Sequence, residues 1–229
     1  MDQQPPCSGL TRVATLDDLV ERDKDHDCPG FGPHHICVRV VAVANLPSRF
    51  GRFRIVAFWN NRDGKEHVAL VHGDAMGAAS VPTRLHSECL TGDAMGSLRC
   101  DCRDQLEVAL RKLSAMPNGL VLYMRQEGRG IGLINKIRAY ALQDRGLDTI
   151  EANLRLGFAD DERGYGVAAA MLRALGVDSA RLLTNNPNKV EGLEAAGIHI
   201  VERVAHHMPT NPHNADYIAT KKAKSGHLD

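Results

Sequence analysis

The sequence predicts an α/β fold, a mixed sheet with flanking helices and an N-terminal antiparallel β segment. Three observations carry that expectation. Three β-rich runs, Ile36 to Leu46, Arg52 to Trp59 and Glu66 to His72, follow one another, and Asn60-Asn-Arg-Asp-Gly-Lys supplies turn chemistry between the last two. Beyond Cys102, helical and strand patterns alternate, which sets an α/β layer against the β segment. With 43% hydrophobic and 24% charged side chains, the 229 residues have ordinary globular composition. A chain of that length buries roughly 70% of its unfolded surface without needing disulfides.

Taken in order, residues 1–36 hold Pro5, Pro6, Pro29 and Pro33, and the acids Asp17, Asp18, Glu21, Asp23, Asp25 and Asp27. They read as a flexible N-terminal extension with one short helix at most, leaving residues 37–229 as the folded domain. After the three strands, the pattern predicts a helix over Gln105 to Met116, a strand over Gly119 to Met124, and helices over Leu133 to Arg145 and Gly166 to Leu175. A strand at Arg181 to Thr184, a helix at Val190 to Ala196 and a strand at Ile198 to Val201 complete the alternation. Pro209, Pro212 and the cluster Lys221, Lys222 and Lys224 read as an irregular, solvated tail.

Composition excludes several functions. Lys and Arg number 28 and Asp and Glu 28, so the chain lacks the basic excess of a nucleic-acid binder. At 4% aromatic residues, base stacking is no main activity either. The longest apolar stretch, near Val38 to Leu46, is interrupted by Arg39 and falls far short of the roughly 20 residues of a membrane span. The start, Met1-Asp-Gln-Gln-Pro-Pro, has neither the basic nor the apolar region of a secretory signal, so the expected location is cytoplasmic.

In a reducing compartment, clustered cysteines point to metal or catalysis before disulfides. Cys89, Cys100 and Cys102 form a soft set suited to Zn²⁺, with three protein ligands and a fourth position open to water. Three buried cysteines, or a closed site completed by His86, are the plainer readings of the same residues. Three thiolates leave the ion site with a formal charge near minus one, so a catalytic version needs cations and a general base beside it. Cys28, His34, His35 and Cys37 imitate a second metal site, but their spacing matches no common ligand pattern, and Cys7 reads as a free thiol.

Three further segments suit a nucleotide, each with a bland alternative. Gln126-Glu127-Gly128-Arg129-Gly130-Ile131-Gly132 joins a predicted strand to a helix, where backbone N–H groups favour anions, and Glu127 could read the N1–H and amino edge of guanine or merely cap the helix. Asp160-Asp161-Glu162-Arg163 precedes a helix and could simply complement its dipole. Thr184-Asn185-Asn186-Pro187-Asn188-Lys189 leaves a strand at its C-terminal end, where ligands bind in α/β sheets, but is equally a capped turn with one exposed lysine.

Together, Arg84-Leu-His-Ser-Glu-Cys-Leu-Thr-Gly-Asp, Ser97-Leu-Arg-Cys-Asp-Cys, Arg125-Gln-Glu-Gly-Arg-Gly-Ile-Gly-Leu, Lys136-Ile-Arg-Ala-Tyr-Ala-Leu-Gln-Asp, Asp161-Glu-Arg and Leu183-Thr-Asn-Asn-Pro resemble the GTP cyclohydrolase II family, in order from about Asn45 to His227. The resemblance implies a GTP cyclohydrolase II-like catalytic domain that opens the imidazole ring of GTP, releasing formate and pyrophosphate in the first committed step of riboflavin synthesis. It makes Cys89, Cys100 and Cys102 the ligands of one Zn²⁺ per subunit. It makes Arg84, Leu85, His86, Ser87, Glu88, Gln105, Glu127, Gly128, Arg129, Thr149, Thr184 and Lys189 the GTP-binding positions. Asp161 becomes the proton acceptor and Arg163 the residue proposed to attack the α-phosphorus, with electrostatic stabilisation an equal alternative because a guanidinium stays protonated. Tyr140 positions water for loss of formate. Mg²⁺ on the triphosphate and a homodimer are implied as well. The departures are the N-terminal extension and the lack of a fused dihydroxybutanone-phosphate synthase domain. A relative that retains the formyl group, or serves a specialised purine-derived pathway, and a silent nucleotide-binding zinc protein are the competing expectations.

Overall fold

The computed structural model describes residues 15–26, 28, 36–224, 226 and 228. The first element, α1 (Leu16–Lys24), lies within the stretch expected to be a flexible extension. Thr15 and Asp18 close a reciprocal capping box at its start, which satisfies two otherwise orphaned N–H groups. Leu16 and Leu19 are buried in the main core, so this helix is a packed part of the domain. Asp23 fixes it further, accepting from the Val40 N–H at 2.8 Å.

Next come β1 (Val38–Ser48), β2 (Gly51–Asn60) and β3 (His67–Gly73), matching the early β segment and pairing antiparallel. The Asn60 side chain ties the predicted turn, accepting from the N–H groups of Arg62 and Asp63. A strand that the pattern missed follows, β4 (Val81–Ser87). Then come α2 (Cys102–Ser114), β5 (Asn118–Met124), α3 (Gly132–Gln143) and α4 (Thr149–Arg155). The chain closes through α5 (Gly166–Ala174), β6 (Ser179–Leu183), α6 (Pro187–Ala195), β7 (His199–Val204) and α7 (Ala215–Lys224). The tail expected to be irregular thus holds a helix.

These strands form one seven-stranded mixed sheet in the order β1-β2-β3-β5-β4-β6-β7. Pairing is antiparallel as far as β5 and parallel from β5 through β4 and β6 to β7. Side chains alternate across the strands, so neighbouring residues serve opposite faces. Val56, Phe58, Leu120, Leu122 and Met124 face α1 and α5, whereas Phe53 and Val121 meet Leu110 and Leu113 of α2. Helices therefore cover both faces, and the C-terminal ends of the parallel strands β4, β5 and β6 converge on one rim, where open α/β sheets place their ligands.

Cys28 and Cys37 are joined by a disulfide. This departs from the expectation that the chain's cysteines serve metal or catalysis before disulfides. Cys7, His34 and His35 lie outside the described residues.

Candidate active site

Each cysteine of the trio comes from a different local structure. Cys89 follows β4 and enters a π-helical turn, Leu90–Ala94; Cys100 ends the loop after it; Cys102 is the first residue of α2. The three sulfur atoms lie within 4.8 Å of one another, and Cys89 Sγ is 3.6 Å from Cys100 Sγ. Gly92 makes the room: a Cβ there would sit 2.8 Å from Cys100 Sγ and 3.0 Å from Cys89 Sγ. A converging thiolate set over a glycine cradle fits a tetrahedral soft cation such as Zn²⁺. His86 takes no part, since its Nε2 donates to the Asp93 carboxylate at 3.1 Å, so it does not close the site as a fourth ligand.

Around the sulfurs the chain supplies the compensating charge. Lys136 Nζ donates to Cys89 Sγ at 3.0 Å and to Glu127 Oε1 at 2.7 Å. Hydrogen bonds from Cys100 and Cys102, reinforced by Lys136, hold the Cys89 thiol strongly toward its thiolate form. The second Glu127 oxygen accepts from the Leu90 N–H at 2.7 Å, so a carboxylate expected to read guanine also braces the cysteine turn. Asp93 is a hub that sequence reasoning missed. It accepts from the Cys89 N–H at 3.0 Å, from His86, and from the Tyr123 hydroxyl at 2.8 Å. Its only sequence signal is its place four residues after Cys89, which becomes meaningful once the turn between them is π-helical.

The strand-to-helix segment forms a tight turn, Glu127–Gly130, in which Gly128, Arg129 and Gly130 all have positive φ. For Arg129, at φ 61°, this conformation is uncommon. The Asp160 carboxylate holds its guanidinium, and the Arg129 carbonyl accepts from the Glu162 N–H at 3.0 Å. Asp161 does not serve as a helix cap: α5 starts later, at Gly166, and the carboxylate instead grips Arg163 in a bidentate pair, with Nε donating at 2.7 Å. Burial works against the charge on Arg163, but this pair outweighs it and makes the guanidinium harder to deprotonate. Burial likewise opposes the Asp161 charge, yet Arg163 holds the carboxyl below its ordinary range.

The remaining positions gather in the same region. Ser87 stands 3.4 Å from Arg163 Nη1, and Glu88 accepts from Arg125 Nε at 3.0 Å. The Tyr140 hydroxyl lies 3.2 Å from Thr91 Oγ1, and burial raises its pKa, so it is a neutral phenol at physiological pH. Buried Arg84 donates to the Leu183 carbonyl at 2.8 Å and to Gln105 Oε1 at 2.5 Å, and desolvation lowers its pKa to about 10. Lys189, exposed in the plainer capped-turn reading, is buried and donates to the Leu85 carbonyl at 2.7 Å, which is how Leu85 enters the site through its backbone. Asn186 caps α6 and thereby sets the position of Lys189, while the Thr184 hydroxyl accepts from the Asn186 N–H. Thr149 opens α4, where its hydroxyl accepts from Gln143 at 3.3 Å.

Two adjoining hollows collect these groups. A cavity of about 430 Å³ is lined by the cysteine trio, Ser87, Glu88, Glu127 to Arg129, Tyr140, Thr149 and Arg163. A smaller one of about 80 Å³ holds Arg84, His86, Gln105, Asp161, Thr184 and Lys189, and shares Ser87, Cys102, Arg129 and Arg163 with the first. Tyr217 of α7 borders both, and His213 and Thr220 join the larger wall; these were invisible in a segment read as solvated tail. His206, also unforeseen, borders the smaller hollow and bonds the Gln105 carbonyl through Nε2 at 2.8 Å.

Comparison with known proteins shows the family. A model of the GTP cyclohydrolase II family matches residues 38–205. The GTP cyclohydrolase-2 of Azotobacter vinelandii (strain DJ / ATCC BAA-1303) is 57% identical over 188 residues, spanning 82% of this chain and 90% of that protein. The GTP cyclohydrolase-2 of Enterobacter sp. (strain 638) is 59% identical over 188 residues, spanning 82% and 96%. Among solved structures, a two-domain 3,4-dihydroxy-2-butanone 4-phosphate synthase from A. baumannii aligns with a TM-score of 0.44 and 17% identity, over 82% of this chain and 44% of that one, too loosely to bear on function. Identity above half over four-fifths of the chain, together with the family match, makes this protein a hydrolase of the GTP cyclohydrolase II family.

Proposed function

We propose that the chain hydrolyses GTP at the imidazole ring, releasing formate and pyrophosphate and leaving 2,5-diamino-6-hydroxy-4-(5-phosphoribosylamino)pyrimidine, the first committed step of riboflavin biosynthesis. The observation that carries this reading is that the Cys89, Cys100 and Cys102 sulfurs open into the same cavity as Glu127, Arg129, Tyr140 and Arg163. Zinc held by those three sulfurs would supply Lewis-acid activation of a hydrolytic water.

The chain's own groups divide the remaining work. Glu127 is oriented by Leu90 and Lys136 to accept from a purine edge. Arg129, Arg163 and Lys189 supply positive charge for a triphosphate that also carries Mg²⁺. Arg163 is kept charged by Asp161, which favours electrostatic stabilisation at the α-phosphorus over covalent attack. The Tyr140 phenol, retaining its proton, can donate to a water and accept from it. His86 Nδ1 and Arg84 Nε are buried without a hydrogen-bond partner among the described residues, which leaves an acceptor and a donor beside the smaller hollow for a ligand. Action as a cytoplasmic homodimer belongs to the same proposal.

The test is incubation of zinc-loaded protein with GTP and Mg²⁺ while formate, pyrophosphate and the pyrimidine are followed separately. Tyr140→Phe should slow formate release more than pyrophosphate release. No turnover of GTP by the loaded wild-type protein would overturn the reading.

A further inference from the structure

A second cluster of soft ligands lies where α1 ends and β1 begins, outside the catalytic rim. The ligand atoms of His26, Cys28 and Cys37 lie within 4.8 Å of one another, and His26 Nε2 is 3.2 Å from Cys37 Sγ. A structural disulfide needs no imidazole against its sulfur, whereas two thiols and a histidine form a soft-metal set.

The surroundings hold these groups in place. Cys37 is fully buried and locked to Asn61 from both sides: its N–H donates to Asn61 Oδ1 at 2.8 Å, and its carbonyl accepts from the Asn61 N–H at 3.1 Å. The His26 N–H donates to the Asp23 carbonyl at 3.3 Å, while the His26 carbonyl accepts from Arg39 Nη1 at 3.2 Å. Arg39 is itself stacked on Trp59, 4.4 Å from the ring centroid. Such outer supports are what orient metal ligands.

We propose that the reduced form of this cluster is a second metal site, taking Zn²⁺ or another soft divalent cation on Cys28, Cys37 and His26, and that the disulfide and the metal are alternative clasps between α1 and β1. Conversion from one to the other balances as follows. An external dithiol delivers two electrons and two protons and becomes a disulfide; the Cys28–Cys37 bond breaks to give two thiols; metal binding then releases those thiol protons to solvent. The clasp bears on the catalytic half through Ile36, whose Cδ1 lies 2.5 Å from where a Cβ on Gly166 would be, at the start of α5 just after the loop of Asp161 and Arg163.

The experiment counts metal in the full chain, reduced with a phosphine, loaded with Zn²⁺ and desalted. Reduced wild type should hold about one zinc ion more than equally reduced Cys28→Ser, whatever the catalytic trio contributes. Cobalt substitution in a Cys100→Ser background should give a thiolate charge-transfer band that disappears with Cys28→Ser and weakens with His26→Gln. Circular dichroism confirms that each variant is folded. Equal zinc in reduced wild type and folded Cys28→Ser would overturn the proposal; a cobalt band indifferent to His26→Gln would remove the imidazole from the ligand set and overturn it as stated.

Discussion

The Lys136 ammonium bridges Cys89 Sγ, at 3.0 Å, and Glu127 Oε1, at 2.7 Å, so one cation serves both a sulfur proposed to hold the metal and the carboxylate proposed to read the purine. Three thiolates alone give an electron-rich ion site, and this contact offsets part of that charge. Lys136→Met should lower zinc affinity and ring opening together, by about 10- to 100-fold, as loss of a supporting contact does at other metal sites. Lys136→Arg should recover part of both. Chelator competition and formate release measure the two effects.

Gly92 is the space beneath the sulfurs. Gly92→Ala should abolish tight zinc binding at Cys89, Cys100 and Cys102 while leaving the rest of the fold intact, because the new methyl would meet two sulfurs at 3.0 Å or less. Zinc analysis alongside a thermal melt checks this, and normal zinc content in the variant would refute the cradle.

Asp161 and Arg163 form a largely buried bidentate pair, in which removing either partner leaves an uncompensated charge, a cost of about 3–5 kcal/mol in comparable settings. Arg163→Lys keeps the charge but not the fork. If the guanidinium acts electrostatically, this variant should keep a reduced but measurable rate of pyrophosphate release, whereas Arg163→Ala should lose about 100-fold or more. Quenched-flow analysis would detect a covalent nucleotidyl-protein intermediate, with the α-phosphorus bonded to the guanidine nitrogen after pyrophosphate has left, and finding one would refute the electrostatic role.

His206 makes stability pH-dependent. Burial, followed by the nearby Arg84 charge, lowers its pKa to about 3 from the ordinary 6.5. The unfolded chain then binds a proton that the folded chain refuses. The stabilisation is complete above about pH 6.5 and is lost progressively as pH falls toward 3, with about 1.4 kcal/mol gone between pH 7.5 and 5.5. Urea unfolding at those two pH values should show a loss in wild type that His206→Gln reduces by about that amount. Buried His67 and His86, whose pKa values are also lowered by desolvation, contribute losses of the same sign in both proteins.

The parts most legible in sequence were those whose chemistry or periodicity is local. Asn60 to Lys65 announced a turn, and Cys89, Cys100 and Cys102 announced a soft-ligand set. β4 escaped because buried polar residues break its pattern: Thr83, Arg84 and His86 lie inside, and Pro82 interrupts the run, so alternation never emerges. α4 is only seven residues long, and its capping box, Asp148 with Glu151, was the available signal. The roles of Asp93 and Tyr217 depend on tertiary contacts with distant residues, Tyr123 among them, which no spacing reveals.

Arg129 carries a consequence for how this protein can change. Gly128 and Gly130 relieve the left-handed backbone on either side, yet the middle position keeps an arginine whose Cβ makes that conformation costly, by about 1 kcal/mol or more. Relaxing the turn and keeping a cation in the wall of both hollows are therefore opposed demands on a single residue. Variants selected only for heat resistance have a route through this position that leads away from the cation proposed to meet the triphosphate.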